Sequence, residues 1–134
     1  MKLLFICTHN RCRSILCEAI VNQRGQGLLQ AASAGSAPAA FVHPLTLHYL
    51  AKRGYVTAGL VSQSWNDLEA FEPDQIITVC DSAAGEACPI WMGTVAKGHW
   101  GLPDPSRVES NDETVRNAFM SVIDRIEGKV DEWV

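Results

Sequence analysis

The stretch that most constrains this chain is Met1 to Glu18. Leu3, Leu4, Phe5 and Ile6 form an unbroken apolar run; Cys7-Thr8-His9-Asn10-Arg11-Cys12-Arg13-Ser14 is a polar segment; then Ile15, Leu16, Ala19 and Ile20 fall at helical spacing. A short apolar run bounded by polar residues reads as a strand buried on both faces. The order is therefore strand, tight polar loop, helix. That order brings the loop's backbone N–H groups to a helix N-terminus, where they can converge on an oxyanion.

The residues of the loop suit that task. Cys7 stands at the positive end of the helix dipole, which favours its thiolate. Arg13 carries a planar fork matched to tetrahedral oxyanions. Ser14 can give a hydroxyl hydrogen bond to the thiolate and favour the charged form further. Asn10 tolerates the left-handed backbone that so tight a loop needs. A nucleophilic thiolate in an anion cradle does phosphoryl-type displacement chemistry. Cys-x5-Arg alone is a weak signal; the strand before it, the helix after it and the Ser next to Arg strengthen it.

The bulk properties narrow the alternatives. A chain of 134 residues with 47% hydrophobic content suits one domain with an ample core. The net charge of −4 argues against a nucleic-acid binder, and Arg11 and Arg13 form a local positive site scaled to a small anion. No run reaches the roughly 18 apolar residues of a membrane span. The Met1–Ile6 start is interrupted by polar residues before a signal-peptide core is complete, so the cytoplasm is the expected compartment. The five cysteines, Cys7, Cys12, Cys17, Cys80 and Cys88, are an odd number with no Cys-x-x-Cys pair. That pattern fits catalytic or redox thiols better than a disulfide framework or a structural zinc site.

Strands and helices alternate along the rest of the chain. The first helix is expected from about Ser14 to Arg24, stopped at Gly25. A second strand is expected over Leu28–Ser33, a small-residue loop over Ser36–Phe41, and a second helix from His43-Pro44 to Gly54. His43 and His48 read as surface or capping residues. Ser64-Trp65-Asn66-Asp67 reads as the cap of a short third helix. Gln75–Cys80 is the clearest later strand, which puts Cys80 on the same sheet edge as Cys7, where ligands bind in open parallel sheets. Asp81–Cys88 is small and polar, suited to movement. Val95–Trp100 reads as a fourth strand, and Ser110–Glu113 as a capping box before a last helix with Val115, Phe119, Val122 and Ile126 on its apolar stripe. Residues 131–134 read as a tail. The fold class is α/β, a single domain over residues 1–134 with a parallel sheet flanked by helices.

With these motifs in hand, the chain resembles arsenate reductases built on the low-molecular-weight tyrosine phosphatase fold. The resemblance spans nearly the whole chain. Cys7 to Ser14 is similar to the family's anion loop, Thr78 to Pro89 to its redox segment, and His99-Trp100-Gly101-Leu102-Pro103-Asp104-Pro105 to its acid loop. It implies a four-stranded parallel sheet and an oxyanion bound by Thr8, His9, Asn10, Arg11, Cys12, Arg13 and Ser14. It also implies arsenate as substrate, with phosphate or sulfate as mimics. Cys7 would attack arsenic and Asp104 would protonate the departing hydroxide, a poor leaving group without an acid. Cys80 would then attack Cys7, and Cys88 would attack Cys80. No bound cofactor is expected; the implied partner is an external thiol reductant, thioredoxin or glutaredoxin with glutathione. A monomer is expected, with no membrane or nucleic-acid partner.

Two departures from the family pattern stand out. Seven residues separate Cys80 from Cys88, one more than in the thioredoxin-coupled pattern, which keeps glutaredoxin open. Some relatives hold potassium near the loop; Asn10, Glu18 and Ser33 match three of the ligand positions, but Gln63 stands where an Asp is expected. Cys12 reads as loop packing. Two rival functions remain: a tyrosine phosphatase using Cys7, Arg13 and Asp104, and a non-catalytic arsenite binder using Cys7, Cys80 and Cys88.

Overall fold

The computed structural model describes residues 1–80 and 88–134. Its centre is β1 (Lys2–Ile6), in which Leu3, Leu4, Phe5 and Ile6 are at most 1% exposed. Helix α1 (Arg13–Arg24) returns the chain to β2 (Gln30–Ala34), and α2 (Pro44–Lys52) follows. Strands β3 (Gln75–Thr78) and β4 (Ala96–His99) and the long helix α3 (Asp112–Asp131) complete the regular elements. The sheet order is β2-β1-β3-β4, with every pair parallel. A strand flanked on both sides by parallel neighbours and covered on both faces has to be apolar where it is covered, as β1 is from Leu3 to Ile6. Among the described residues no helix is long and apolar enough to cross a membrane.

The expected α/β architecture with four parallel strands is observed, and several boundaries move for identifiable reasons. The second strand starts at Gln30 rather than Leu28 because Gln26 and Gly27 take positive φ (54° and 79°) and leave Leu28 62% exposed in the turn. The expected third helix is a 3₁₀ segment, Trp65–Phe71, and Ser64 caps it by accepting from the Asn66 amide, not from Asp67. Strand β3 stops at Thr78, two residues short of Cys80. The Val79 amide still reaches Ile6 O at 3.0 Å, and the Leu102 amide reaches Val79 O at 3.2 Å, so the chain leaves the sheet held on both sides.

At the start of α3 the cap is Asn111, whose Oδ1 accepts from the Thr114 amide at 2.9 Å, in place of the expected Ser110–Glu113 box. The residues expected as a tail are exposed, but two of them are anchored by contacts. Asp131 belongs to α3 and accepts two 2.8 Å hydrogen bonds from Arg24, and Trp133 meets Trp100 edge-on with ring centroids 6.2 Å apart. His43 caps α2 as expected, its Nδ1 accepting from the Leu45 amide. The segment read as mobile, Asp81 onward, lies outside the described residues until Cys88.

Gly35 shows how closely the anion loop is seated on the sheet. A Cβ there would meet Thr8 O at 2.4 Å and Cys7 O at 2.6 Å, which only glycine avoids.

Candidate active site

The loop after β1 is built by spending its polar groups outward. The carbonyls of Thr8 and His9 accept from the Ala37 and Ala39 amides, and Arg11 O accepts from the His43 amide. Cys12 O accepts from the Leu16 amide and so opens α1. The Asn10 amide donates back to Cys7 O at 3.3 Å, and these bonds hold the loop at the start of α1, where N–H groups suit an anion. Asn10 makes the turn with φ 44°, the left-handed conformation expected of it.

Asn10 is also the hub behind the loop. Its Nδ2 donates to Ser14 Oγ at 2.8 Å and to Ser33 Oγ at 3.0 Å, and its Oδ1 accepts from the Gln63 amide at 2.8 Å. Ser33 Oγ in turn donates to Glu18 Oε1 at 2.7 Å. Asn10, Ser14 and Ser33 are fully buried. Burial raises the Glu18 pKa, and its hydrogen bonds from Ser33 oppose the rise.

The potassium candidates Asn10, Glu18 and Ser33 are thus brought together, but as a hydrogen-bonded network. A cation needs converging lone pairs. Here Asn10 Oδ1 is engaged by an N–H, Ser33 Oγ spends its proton on Glu18, and Gln63 supplies a donor, Nε2, which bonds Ser33 O at 2.9 Å. In this arrangement the candidate oxygens of Asn10, Ser33 and Glu18 are engaged by hydrogen bonds, and Gln63 turns its Nε2 towards Ser33 O.

In front of the loop lies a cavity of about 100 Å³ lined by Cys7, Thr8, His9, Arg11, Cys12 and Arg13 from the loop, Cys80 after β3, and Asp104 and Arg107 after β4. The size and charge suit one tetrahedral oxyanion. Of the expected oxyanion-binding residues, Asn10 and Ser14 are not on this lining; their side chains hold the loop from behind. Cys88 is exposed and also off the lining. Arg107 was not anticipated from the sequence, although its place three residues after Asp104 was visible.

The electrostatics of Cys7 differ from the sequence expectation of a favoured thiolate. Its pKa is raised, first by a hydrogen bond with the Cys80 thiol and then by burial, with Arg13 pulling the other way. Two thiols in contact titrate as a pair, and whichever loses its proton first raises the other. Ser14 Oγ accepts from Asn10 Nδ2 in this arrangement, which leaves its own hydroxyl proton to donate elsewhere. Cys12 is pushed up to about 12, mainly by burial, with a hydrogen bond to Thr46 opposing. Burial also raises Cys17, which is fully enclosed in the core as a packing residue.

The acid loop is tied to the anion loop through Arg13. Its Nη1 donates to Leu102 O at 3.1 Å and its Nη2 lies 3.6 Å from Asp104 Oδ2. Asp104 caps the 3₁₀ turn Pro105–Arg107, its Oδ1 accepting from the Ser106 amide at 3.0 Å and Ser106 Oγ at 2.6 Å. Arg107 Nε stands 3.4 Å from Asp104 Oδ2.

A thiol in a loop at a helix start, with an arginine fork and a carboxyl beside it, defines a class of cysteine-dependent enzymes that act on tetrahedral oxyanions. The chain belongs to the low molecular weight phosphotyrosine protein phosphatase family, whose model matches residues 2–134. Within it, the chain is 28% identical to an arsenate reductase of Bacillus subtilis over 129 residues, covering 96% of this chain and 91% of that protein. It is 27% identical to a glutaredoxin arsenate reductase of Synechocystis, with 78% of each chain covered. The fold matches a solved arsenate reductase in its phosphate-binding state with a TM-score of 0.76 at 26% identity, covering 98% of this chain and 97% of that one. A thioredoxin-dependent arsenate reductase of Corynebacterium glutamicum matches with a TM-score of 0.72 at 27% identity, covering 98% of this chain and 59% of that one.

Proposed function

We propose that this protein reduces arsenate to arsenite by a thiol relay, with Cys7 as nucleophile and Cys80 then Cys88 as resolving thiols. The observation that carries the reading is the Cys7–Cys80 contact inside the oxyanion cavity. A phosphatase needs Cys7, Arg13 and Asp104 but has no use for a second thiol in contact with the first.

The chemistry balances on these residues. Cys7 thiolate forms a bond to arsenic(V) as one arsenic–oxygen bond breaks, and Asp104 supplies the proton that converts the departing hydroxide to water. Arg13 and the loop N–H groups bind the remaining oxygens. Cys80 thiolate then attacks Cys7 sulfur; the sulfur–arsenic electron pair stays on arsenic, and arsenic(III) leaves as arsenite. Two thiols have given two electrons and become the Cys7–Cys80 disulfide. Cys88 attacks Cys80, releases Cys7, and leaves a Cys80–Cys88 disulfide. Cys88 is exposed while Cys7 and Cys80 are buried, so it is the sulfur an external thiol can reach. The external reductant is a dithiol protein of the thioredoxin type, or glutaredoxin with glutathione.

The test is arsenate-dependent NADPH consumption with each reductant system, for the wild type and Cys88→Ser. Turnover that Cys88→Ser removes supports the relay. Turnover with neither system, beside brisk hydrolysis of an aryl phosphate, would leave a phosphatase and sink the reductase reading.

A further inference from the structure

The two carboxylate oxygens of Asp104 have different partners. Oδ1 is anchored within its own turn by the 3.0 and 2.6 Å bonds from Ser106. Oδ2 lies between two guanidinium groups at longer range, 3.6 Å from Arg13 Nη2 and 3.4 Å from Arg107 Nε. Short bonds fix one oxygen, and two looser ion pairs share the other. Arg13 is the fork suited to the substrate oxyanion, so the carboxylate and the oxyanion seek the same cation. Arg107 also lines the cavity, but its side chain is 72% exposed and it follows Asp104 by three residues on the same turn, so its pairing with Asp104 is local.

We propose that Asp104 and an incoming tetrahedral oxyanion compete for Arg13, and that Arg107 is a positioning residue that takes over Asp104 when the oxyanion is bound. The anchored Oδ1 limits the movement to a pivot, so Oδ2 shifts its pairing from Arg13 to Arg107 without leaving the cavity. The carboxylate then stays beside the oxyanion, where it has to take up a proton before it serves as the proposed acid. A lone Asp104 would meet the oxyanion as an uncompensated like charge. The inference rests on the proposed role of Asp104, yet its test reads oxyanion binding and not turnover. Loss of the reductase reading would leave that test unaffected.

The test is a double-mutant cycle in inorganic phosphate affinity, measured by titration calorimetry on the reduced protein in chloride buffer. Arg107→Ala is expected to weaken phosphate about threefold, the scale of one largely exposed ion pair. Asp104→Asn keeps the Oδ1 acceptor for Ser106 and removes the charge, and it is expected to tighten phosphate. In the Asp104→Asn background, Arg107→Ala should have no further effect, and Arg107→Lys alone should keep most of the wild-type affinity. An equal loss in both backgrounds would mean that Arg107 contacts the anion itself or merely supports the fold, and would overturn the proposal. So would an Arg107→Ala protein that binds phosphate as well as the wild type.

Discussion

Replacing Asn10 separates what its side chain does from what its backbone does. Asn10→Ala removes two donated hydrogen bonds, to Ser14 and Ser33, and one accepted from Gln63, all in a buried network. At about 1 kcal/mol net each, these sum to roughly 3 kcal/mol. The φ of 44° adds about 1 kcal/mol for an alanine forced left-handed. The expected loss is therefore about 4 kcal/mol, a large share of the ~5–15 kcal/mol by which domains are stable. Asn10→Gly loses the same bonds without the left-handed penalty, set against glycine's greater unfolded-state entropy of about 0.5–1 kcal/mol. Glycine should thus equal or exceed alanine here, the reverse of the order at an ordinary helix or strand position. The assay is urea unfolding of the fully reduced protein followed by circular dichroism, where at a slope of about 1.5 kcal/mol/M the alanine midpoint falls by roughly 2.5 M. An alanine variant clearly more stable than the glycine variant would show that the loop does not hold residue 10 left-handed.

Three further outcomes follow from other contacts. Gly35→Ala puts a Cβ against Thr8 O and Cys7 O and should displace the anion loop; phosphate affinity, read by calorimetry, falls more than tenfold while the far-ultraviolet spectrum is kept. Glu18 holds its proton more tightly in the folded chain than its ordinary 4.5, so its ionisation removes stability as pH rises from about 4.5 through the raised folded value. Glu18→Gln keeps an acceptor for Ser33, and unfolding free energies measured across that window should gain on the wild type as pH rises; a parallel pair of curves would refute the assignment. Trp133→Ala should cost about 0.5–1.5 kcal/mol through its edge contact with Trp100, whereas a disordered tail would cost nothing in the same urea assay.

What was legible in the sequence was whatever a local pattern dictates. The run Leu3–Ile6 admits little other than a doubly covered strand, and Pro44 behind a capping His43 opens a helix in any context. The left-handed turn at Asn10 was legible because few residues tolerate it. What was not legible depended on partners distant in sequence. Asp131 and Trp133 read as a tail because Arg24 and Trp100, which anchor them, lie 107 and 33 positions earlier. The start of β2 was missed because Leu28 and Leu29 are both apolar, and the turn at Gln26 and Gly27 decides which one is buried. At the site, the helix dipole that favours a Cys7 thiolate is local, whereas the second thiol that opposes it arrives from beyond β3. Arg107 was hidden for a similar reason: its value lies in Asp104 being shared with Arg13, which is not a property of the Asp-Pro-Ser-Arg segment.

The topology explains why chemistry gathers where it does. The chain passes from β1 to β2 on one side, then to β3 and β4 on the other, so the connections diverge at the C-terminal ends of β1 and β3 and open a crevice there. Cys7 leaves β1 directly into that crevice, and Cys80 enters it two residues beyond β3. The register Ile6↔Thr78 holds the two exits side by side. Strand β4 adds the acid loop at the same edge through the Trp100 amide on Thr78 O and the Leu102 amide on Val79 O. Three segments far apart in sequence are thus fixed by main-chain bonds to neighbouring strands, and the thiol pair, the guanidinium fork and the carboxyl inherit their positions from the sheet. A change in any one side chain should then alter the chemistry before it alters the frame. Gly35 and Asn10 are exceptions, since both act on the loop's backbone itself.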